Sequence, residues 1–211
     1  MQTMTRFTLH GFWRSGPSYK VALGLAMLDE PFSYVHIDLR AGAQKAPDFV
    51  AKNRFGQVPC LIDLQNGRSL SQAAVILEYL ADVTGKKMGG ASLEERLQVR
   101  EWLFWDYDKL STALYRSRAI KHGFRSYNQP VAELYYTEAV AALQTLNIHL
   151  QGRTWVVGEA PTIADINLYG VVFYAADAAL NLSEFPHIQT WMKQVENLKG
   201  YAKPTELMPT S

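Results

Sequence analysis

Apolar positions recur along the first third of the chain in short runs of alternating type. Phe7 to Gly11 reads as a short strand. After a turn, Val21-Ala22-Leu23 and Leu25-Ala26-Met27-Leu28 repeat at helical spacing. Ser33 to Leu39 alternates as a strand, with Tyr34, Val35 and Ile37 apolar, and Ala46 to Asn53 predicts a short helix. Cys60 to Leu64 is a strand-type run, Asn66-Gly67 marks a tight hairpin, and Arg68 to Leu70 supplies the partner strand. Ser71 then reads as an N-cap for a helix over Ala73 to Ala81, carried by Val75, Ile76, Tyr79 and Leu80. The order is strand, helix, strand, helix, strand, strand, helix. Its opening strand–helix–strand predicts a parallel pair.

Beyond residue 83 the pattern changes. Residues 84–91, glycine- and lysine-rich and without periodicity, read as a linker. Ser92 followed by Glu95 is a capping-box pattern opening a helix that carries Leu97, Trp102, Leu103, Phe104 and Trp105 to about Ile120, with His122-Gly123 at its end. A second long helix is expected from about Val131 to Leu150, stopping at Gln151-Gly152. Thr162 and Asp165 form another capping signature, and Ile163 to Tyr174 is almost wholly apolar, as a central helix would be. Asp165 is therefore expected to be a structural cap with Thr162, not a catalytic acid. The expected fold is an α/β domain over 1–83, a linker, and an all-α domain over 92–211.

Composition narrows the field. The 211 residues are 48% hydrophobic, and 21 basic against 20 acidic residues leave a net charge of +1. That balance suits a globular protein and gives no reason to expect nucleic acid. Arg116, Arg118, Lys121 and Arg125 read as a solvated helix face. Cys60 is the only cysteine, so no intrachain disulfide forms, and in a strand it behaves as a small hydrophobe. No apolar run approaches membrane-spanning length, and Met1 to Arg6 lacks the apolar core of a signal peptide. A cytoplasmic protein without membrane contact is expected. His10, His36, His122, His149 and His187 are scattered without metal-ligand spacing, so no metal is expected.

The candidate chemistry lies between the first strand and the first helix. Ser15-Gly16-Pro17-Ser18 has the spacing of the Cys-Gly-Pro-Cys motif of thioredoxin-like folds, with serine at both cysteine positions. Two serines form no disulfide, but a hydroxyl at a helix start donates a hydrogen bond to a thiolate supplied by a ligand. The unpaired N–H groups there favour an anion. Gly56-Gln57-Val58-Pro59 precedes the third strand, and proline at a strand start leaves the ladder intact. Sequence does not fix the Val58–Pro59 isomer. Phe12, Trp13, Trp102, Trp105 and Tyr107 line an apolar substrate pocket or fill the core.

With these pieces in order the chain resembles the bacterial, serine-type glutathione S-transferases. The resemblance is carried by Ser15 to Val21, by Phe55 to Pro59, by Leu70 to Leu80 and by Pro161 to Ile166. It implies a thioredoxin-like N-terminal domain binding glutathione, an all-helical C-terminal domain, and a hydrophobic second-substrate pocket between them, lined by some of the aromatics above. It also implies that Ser15 bonds the glutathione sulfur, that Val58, flanked by Gln57 and Pro59, pairs with the cysteinyl backbone, and that Gln72 and Ala73 receive the γ-glutamyl end. The homodimer is a further implication of the family. One position departs from it: Ala73 stands where a serine usually binds the γ-glutamyl carboxylate. A hydrogen bond to a charged group contributes roughly 1.5–3 kcal/mol, so its loss weakens glutathione about tenfold or more. The expected activity is conjugation of the glutathione thiolate to a small hydrophobic electrophile. Its rivals are a non-catalytic binding or assembly protein with a relaxed site, and a different glutathione-dependent reaction, reductive or isomerising.

Overall fold

A computed structural model describes residues 5–210. They form two compact units, one reaching to Lys86 and including the chain from Leu198 onward, the other spanning Lys87–Asn197. The final segment, which the sequence pattern leaves with the helices, thus belongs with the first unit.

The first unit holds strands β1 (Phe7–Gly11), β2 (Phe32–His36), β3 (Cys60–Asp63) and β4 (Arg68–Ser71), in the sheet order β2-β1-β3-β4. β1 runs parallel to β2 and antiparallel to β3, and β3 pairs antiparallel with β4. Helices α1 (Gly16–Met27), α2 (Pro47–Val50) and α3 (Ala73–Val83) complete the expected order. Phe7, Leu9 and Leu61 of the sheet and Tyr19, Leu23, Ile76, Leu77 and Leu80 of α1 and α3 are fully buried, which makes them the core. The last segment is fixed to α1 and the turn after it. Tyr19 Oη donates to the Ala202 carbonyl, and a Cβ on Gly200 would collide with the Ala26 carbonyl, so only glycine permits this approach.

Three boundaries differ from the sequence pattern. β2 ends at His36, not Leu39, because the Ile37 N–H goes to the Gly11 carbonyl and Asp38 then accepts from Arg40 and Ala41 in a turn. α2 is a single turn, opened by Pro47. Ser71 is not the N-cap of α3: it is held in the ladder opposite Cys60, so the cap position falls to Gln72.

The second unit is helical: α4 (Leu93–Trp105), α5 (Ser111–Lys121), α6 (Gln129–His149), α7 (Ile163–Val172) and α8 (Pro186–Glu196); a one-turn α9 (Pro204–Leu207) lies in the first unit. The long helix expected to reach Ile120 is interrupted. Residues Asp106–Leu110 form a π-turn between α4 and α5, around the buried Asp106 carboxylate. That carboxylate accepts from Ser111 Oγ and from Asn167 Nδ2 of α7, both at 2.8 Å. Every residue of α7 is buried, as its apolar run predicts, although it ends at Val172, before Tyr174.

Candidate functional site

Strand register places the candidate residues of the first unit. His10 lies opposite Cys60, Cys60 opposite Ser71, and Gly11 opposite His36. The turn from β1 into α1, the Val58–Pro59 bond before β3 and the Gln72–Ala73 start of α3 therefore share one end of the sheet. Gly11 is closely packed there: a Cβ would lie 3.1 Å from the Ser18 side chain and 3.3 Å from Tyr34, so a larger residue would push on Ser18 and Tyr34.

At the start of α1 the two serines are used differently. Ser15 is the N-cap, and its Oγ accepts from the Ser18 N–H at 3.2 Å. That bond uses a lone pair and leaves the Ser15 O–H as a donor. Ser18 is fully buried and its Oγ accepts from the Phe12 N–H at 3.3 Å. The Val58–Pro59 peptide is cis. The loop before it is organised by the buried Asn53, whose amide donates to the Gln57 carbonyl and whose Oδ1 accepts from the Phe55 N–H. At α3, Gln72 has φ +70°, rare for a non-glycine residue, and no side chain caps the helix. Its first turn is Ala73, Ala74 and Val75, so no polar side chain competes for the N–H groups. Ala73 itself is buried. Two helix N-termini of 12 and 11 residues thus open at one sheet end, an arrangement that favours anionic groups.

Residues outside the sequence reading join this end. Lys45 and Gln44 sit against Gly56, where a Cβ would be 3.1 Å from Lys45 Nζ and 3.0 Å from the Gln44 carbonyl. Gln44 Oε1 is buried with no hydrogen-bond partner among the described residues. Tyr34 Oη donates to the Gly11 carbonyl at 3.1 Å, and burial pushes its pKa up to about 12. Gln44 and Lys45 fall between the second strand and the short helix that the pattern marks from Ala46, so nothing in the sequence marks them.

The aromatic candidates fall into two groups. Phe12 and Trp13 adjoin at 6.3 Å between ring centroids, and the Phe12 ring lies 5.5 Å from His36. In the helical unit Trp102 and Trp105 meet edge to face at 4.9 Å, and Trp102 lies 4.5 Å from His149. Trp105 also lines a cavity of about 440 Å³ with Glu138, Ala141 and Ala142 of α6. Tyr107, on the π-turn, is 52% exposed.

Two buried carboxylates are structural by their partners. Asp63 accepts from Arg6, from Tyr79 Oη at 2.7 Å and from the Gln65 N–H at 2.9 Å, and the Arg6 guanidinium above all holds its pKa down at about 2. Asp165 closes the cap of α7. It accepts from Thr162 N–H at 2.8 Å, Thr162 Oγ1 at 3.1 Å, Val156 N–H at 2.9 Å and Trp191 Nε1 at 2.9 Å, while burial pushes its pKa up. Cys60 is buried, its Sγ 3.3 Å from Ser69 Oγ, and burial raises the thiol pKa. Among the described residues no group of three or more His, Cys, Asp or Glu gathers to hold a metal, and no helix is long and apolar enough to cross a membrane.

A thioredoxin-like unit with serine at the redox position, joined in sequence to an all-helical unit, is the architecture of the glutathione S-transferase fold. The chain belongs to the glutathione S-transferase family. It matches the family's N-terminal domain over residues 5–82 and its C-terminal domain over residues 111–199. The glutathione S-transferase GstA of Escherichia coli is 30% identical over 172 residues, covering 78% of this chain and 80% of the relative. The disulfide-bond oxidoreductase YfcG, also of Escherichia coli, is 26% identical over 184 residues and 85% of each chain. A glutathione S-transferase of Pseudomonas fluorescens has the same fold, with a TM-score of 0.89 over 95% of this chain and 99% of its own at 28% identity.

Proposed function

We propose that this protein uses glutathione as a nucleophile and conjugates it to a small hydrophobic electrophile. The observation that carries the reading is the uncommitted Ser15 O–H at the start of α1, on the same sheet end as the uncapped start of α3. In this reading the Ser15 O–H donates to the glutathione sulfur and favours the thiolate, aided by the α1 N-terminus. The thiol proton leaves to solvent on binding. The thiolate then attacks an electrophilic carbon, forming a C–S bond as the leaving group departs. Val58 pairs through its backbone with the cysteinyl residue, flanked by Gln57 and Pro59, and Gln72 with the Ala73 N–H receives the γ-glutamyl carboxylate. Phe12, Trp13, Trp102, Trp105 and Tyr107 are the aromatic residues from which the electrophile site is drawn. A homodimeric, cytoplasmic enzyme of detoxification type completes the reading. Light scattering at micromolar protein is expected to give twice the chain mass, and a monomer mass contradicts the dimer.

Ala73 favours a second reading, in which the fold serves binding or another glutathione-dependent reaction. The similarity to a disulfide-bond oxidoreductase is in line with the latter. Calorimetric titration with glutathione separates the classes. Binding below millimolar supports an enzyme, and no binding supports a non-catalytic module.

A further inference from the structure

The basic run that reads in sequence as a solvated helix face is engaged in two different ways. From Lys109 to Ala132 the chain carries five basic residues, Lys109, Arg116, Arg118, Lys121 and Arg125, and no acidic one. Arg118 and His122 share the carboxylate of Asp177, and Lys121 donates to the Ala176 carbonyl. Arg116 and Arg125 have no such partner. Arg116 Nη1 donates to Tyr127 Oη at 2.7 Å, and Arg125 Nη1 donates to the same oxygen at 3.4 Å. Neither pairs with a carboxylate among the described residues. The Tyr127 ring is held in place by Tyr135 of α6, edge to face at 5.8 Å.

Two guanidinium groups thus converge on one neutral phenol. Like charges brought together without a counter-ion repel, and an oxyanion between them removes the cost. A planar guanidinium offers paired N–H donors matched to phosphate oxygens, and the phenol O–H supplies one more. A dianionic group balances both charges, which a single carboxylate does not. We propose that Arg116, Arg125 and Tyr127 form a binding site for the phosphate group of a small ligand. The site belongs wholly to the helical unit and is independent of the glutathione reading. Arg125 and Arg116 lower the Tyr127 pKa from its ordinary value, which makes the phenol O–H a stronger donor.

The test is calorimetric titration of the full chain at low, constant ionic strength with inorganic phosphate, glycerol 2-phosphate and acetate. Phosphate or its ester is expected to bind in the millimolar range or tighter, and acetate at least tenfold more weakly. The tighter of the two phosphates tells whether the free ion or an esterified molecule is the ligand. Arg116→Gln and Arg125→Gln should each weaken binding about tenfold, and Arg125→Lys, which keeps the charge but loses the fork, by several-fold. Lys121→Gln, in the same basic run but committed elsewhere, should change affinity less than twofold. Equal losses from Lys121→Gln and Arg125→Gln, acetate binding as well as phosphate, or no phosphate binding would overturn the proposal.

Discussion

The helices α3 and α7 begin in opposite ways. At α7 the chain satisfies itself: Thr162 and Asp165 exchange the bonds of a capping box, and the same carboxylate also takes Val156 and Trp191. At α3 the chain leaves the end open. Gln72 holds a left-handed backbone, no side chain caps the helix, and the first turn is apolar. A helix end must have partners for its N–H groups. Where the sequence supplies them the end is structural, and where it withholds them a ligand or solvent must. The contrast makes the α7 end structural and leaves the α3 end open for the glutathione site proposed above, and each reading is open to mutation.

The largest effect is expected at the closed end. Asp165→Ala removes the acceptor for four buried donors, Val156 N–H, Thr162 N–H, Thr162 Oγ1 and Trp191 Nε1. A simple cap is worth about 0.5–2 kcal/mol, but stranded buried donors raise the cost to about 3–5 kcal/mol. Urea unfolding measures it. A loss below about 1 kcal/mol would mean that the cap is dispensable. The folded fraction of the variant should still bind glutathione as the parent does.

Next is the dependence on acid. Asp63 has a folded pKa of about 2, below its usual 3.8. A depressed acid pKa contributes stability above the unfolded value and loses it as pH falls through the folded one. The contribution is roughly 2 kcal/mol, present above about pH 5 and falling away toward pH 2. Asp165 runs the other way, since its pKa is raised. Its contribution is greatest below the unfolded pKa and is lost as pH rises through the folded one. The difference in stability between the parent and Asp63→Asn should therefore be constant near neutrality and shrink in acid. A difference unchanged from pH 6 to pH 2.5 would contradict the role of the Arg6–Asp63 pair.

At the open end the effect is smaller. Ala73→Ser places a hydroxyl at the start of α3 and should tighten glutathione by about 1–2 kcal/mol, five- to thirtyfold. Ala73 is buried, so the new hydroxyl gains only if it reaches a ligand carboxylate. Unchanged or weaker binding would mean that no γ-glutamyl group is received there.

The contrast also explains what was legible in the sequence. The closed end could be read directly, because Thr162 and Asp165 lie three residues apart and their bonds are local. The reach of Asp165 to Trp191, 26 residues on, could not. The elements of the sheet follow from alternation and from Asn66-Gly67, and the first residue of α3 is the expected Ala73, whereas its cap position is Gln72 and not Ser71. Ser71 has the chemistry of a cap, and only its pairing with Cys60 shows that it is strand. The π-turn is not legible because Asp106–Leu110 keeps a helical pattern, and the Asp106 carboxylate at its start is held by Asn167, 61 residues away. Gln44 and Lys45 escaped because their approach to Gly56 is a loop contact.

The uncommitted hydroxyl of Ser15 is the central claim, and the bound thiolate reports on it. Ultraviolet absorbance of glutathione bound to the parent, Ser15→Ala and Ser18→Ala, titrated against pH, gives the thiol pKa in each. Ser15→Ala should raise that pKa while leaving glutathione affinity nearly unchanged, and Ser18→Ala should leave the pKa where it is. A rise in Ser18→Ala with none in Ser15→Ala would contradict the assignment.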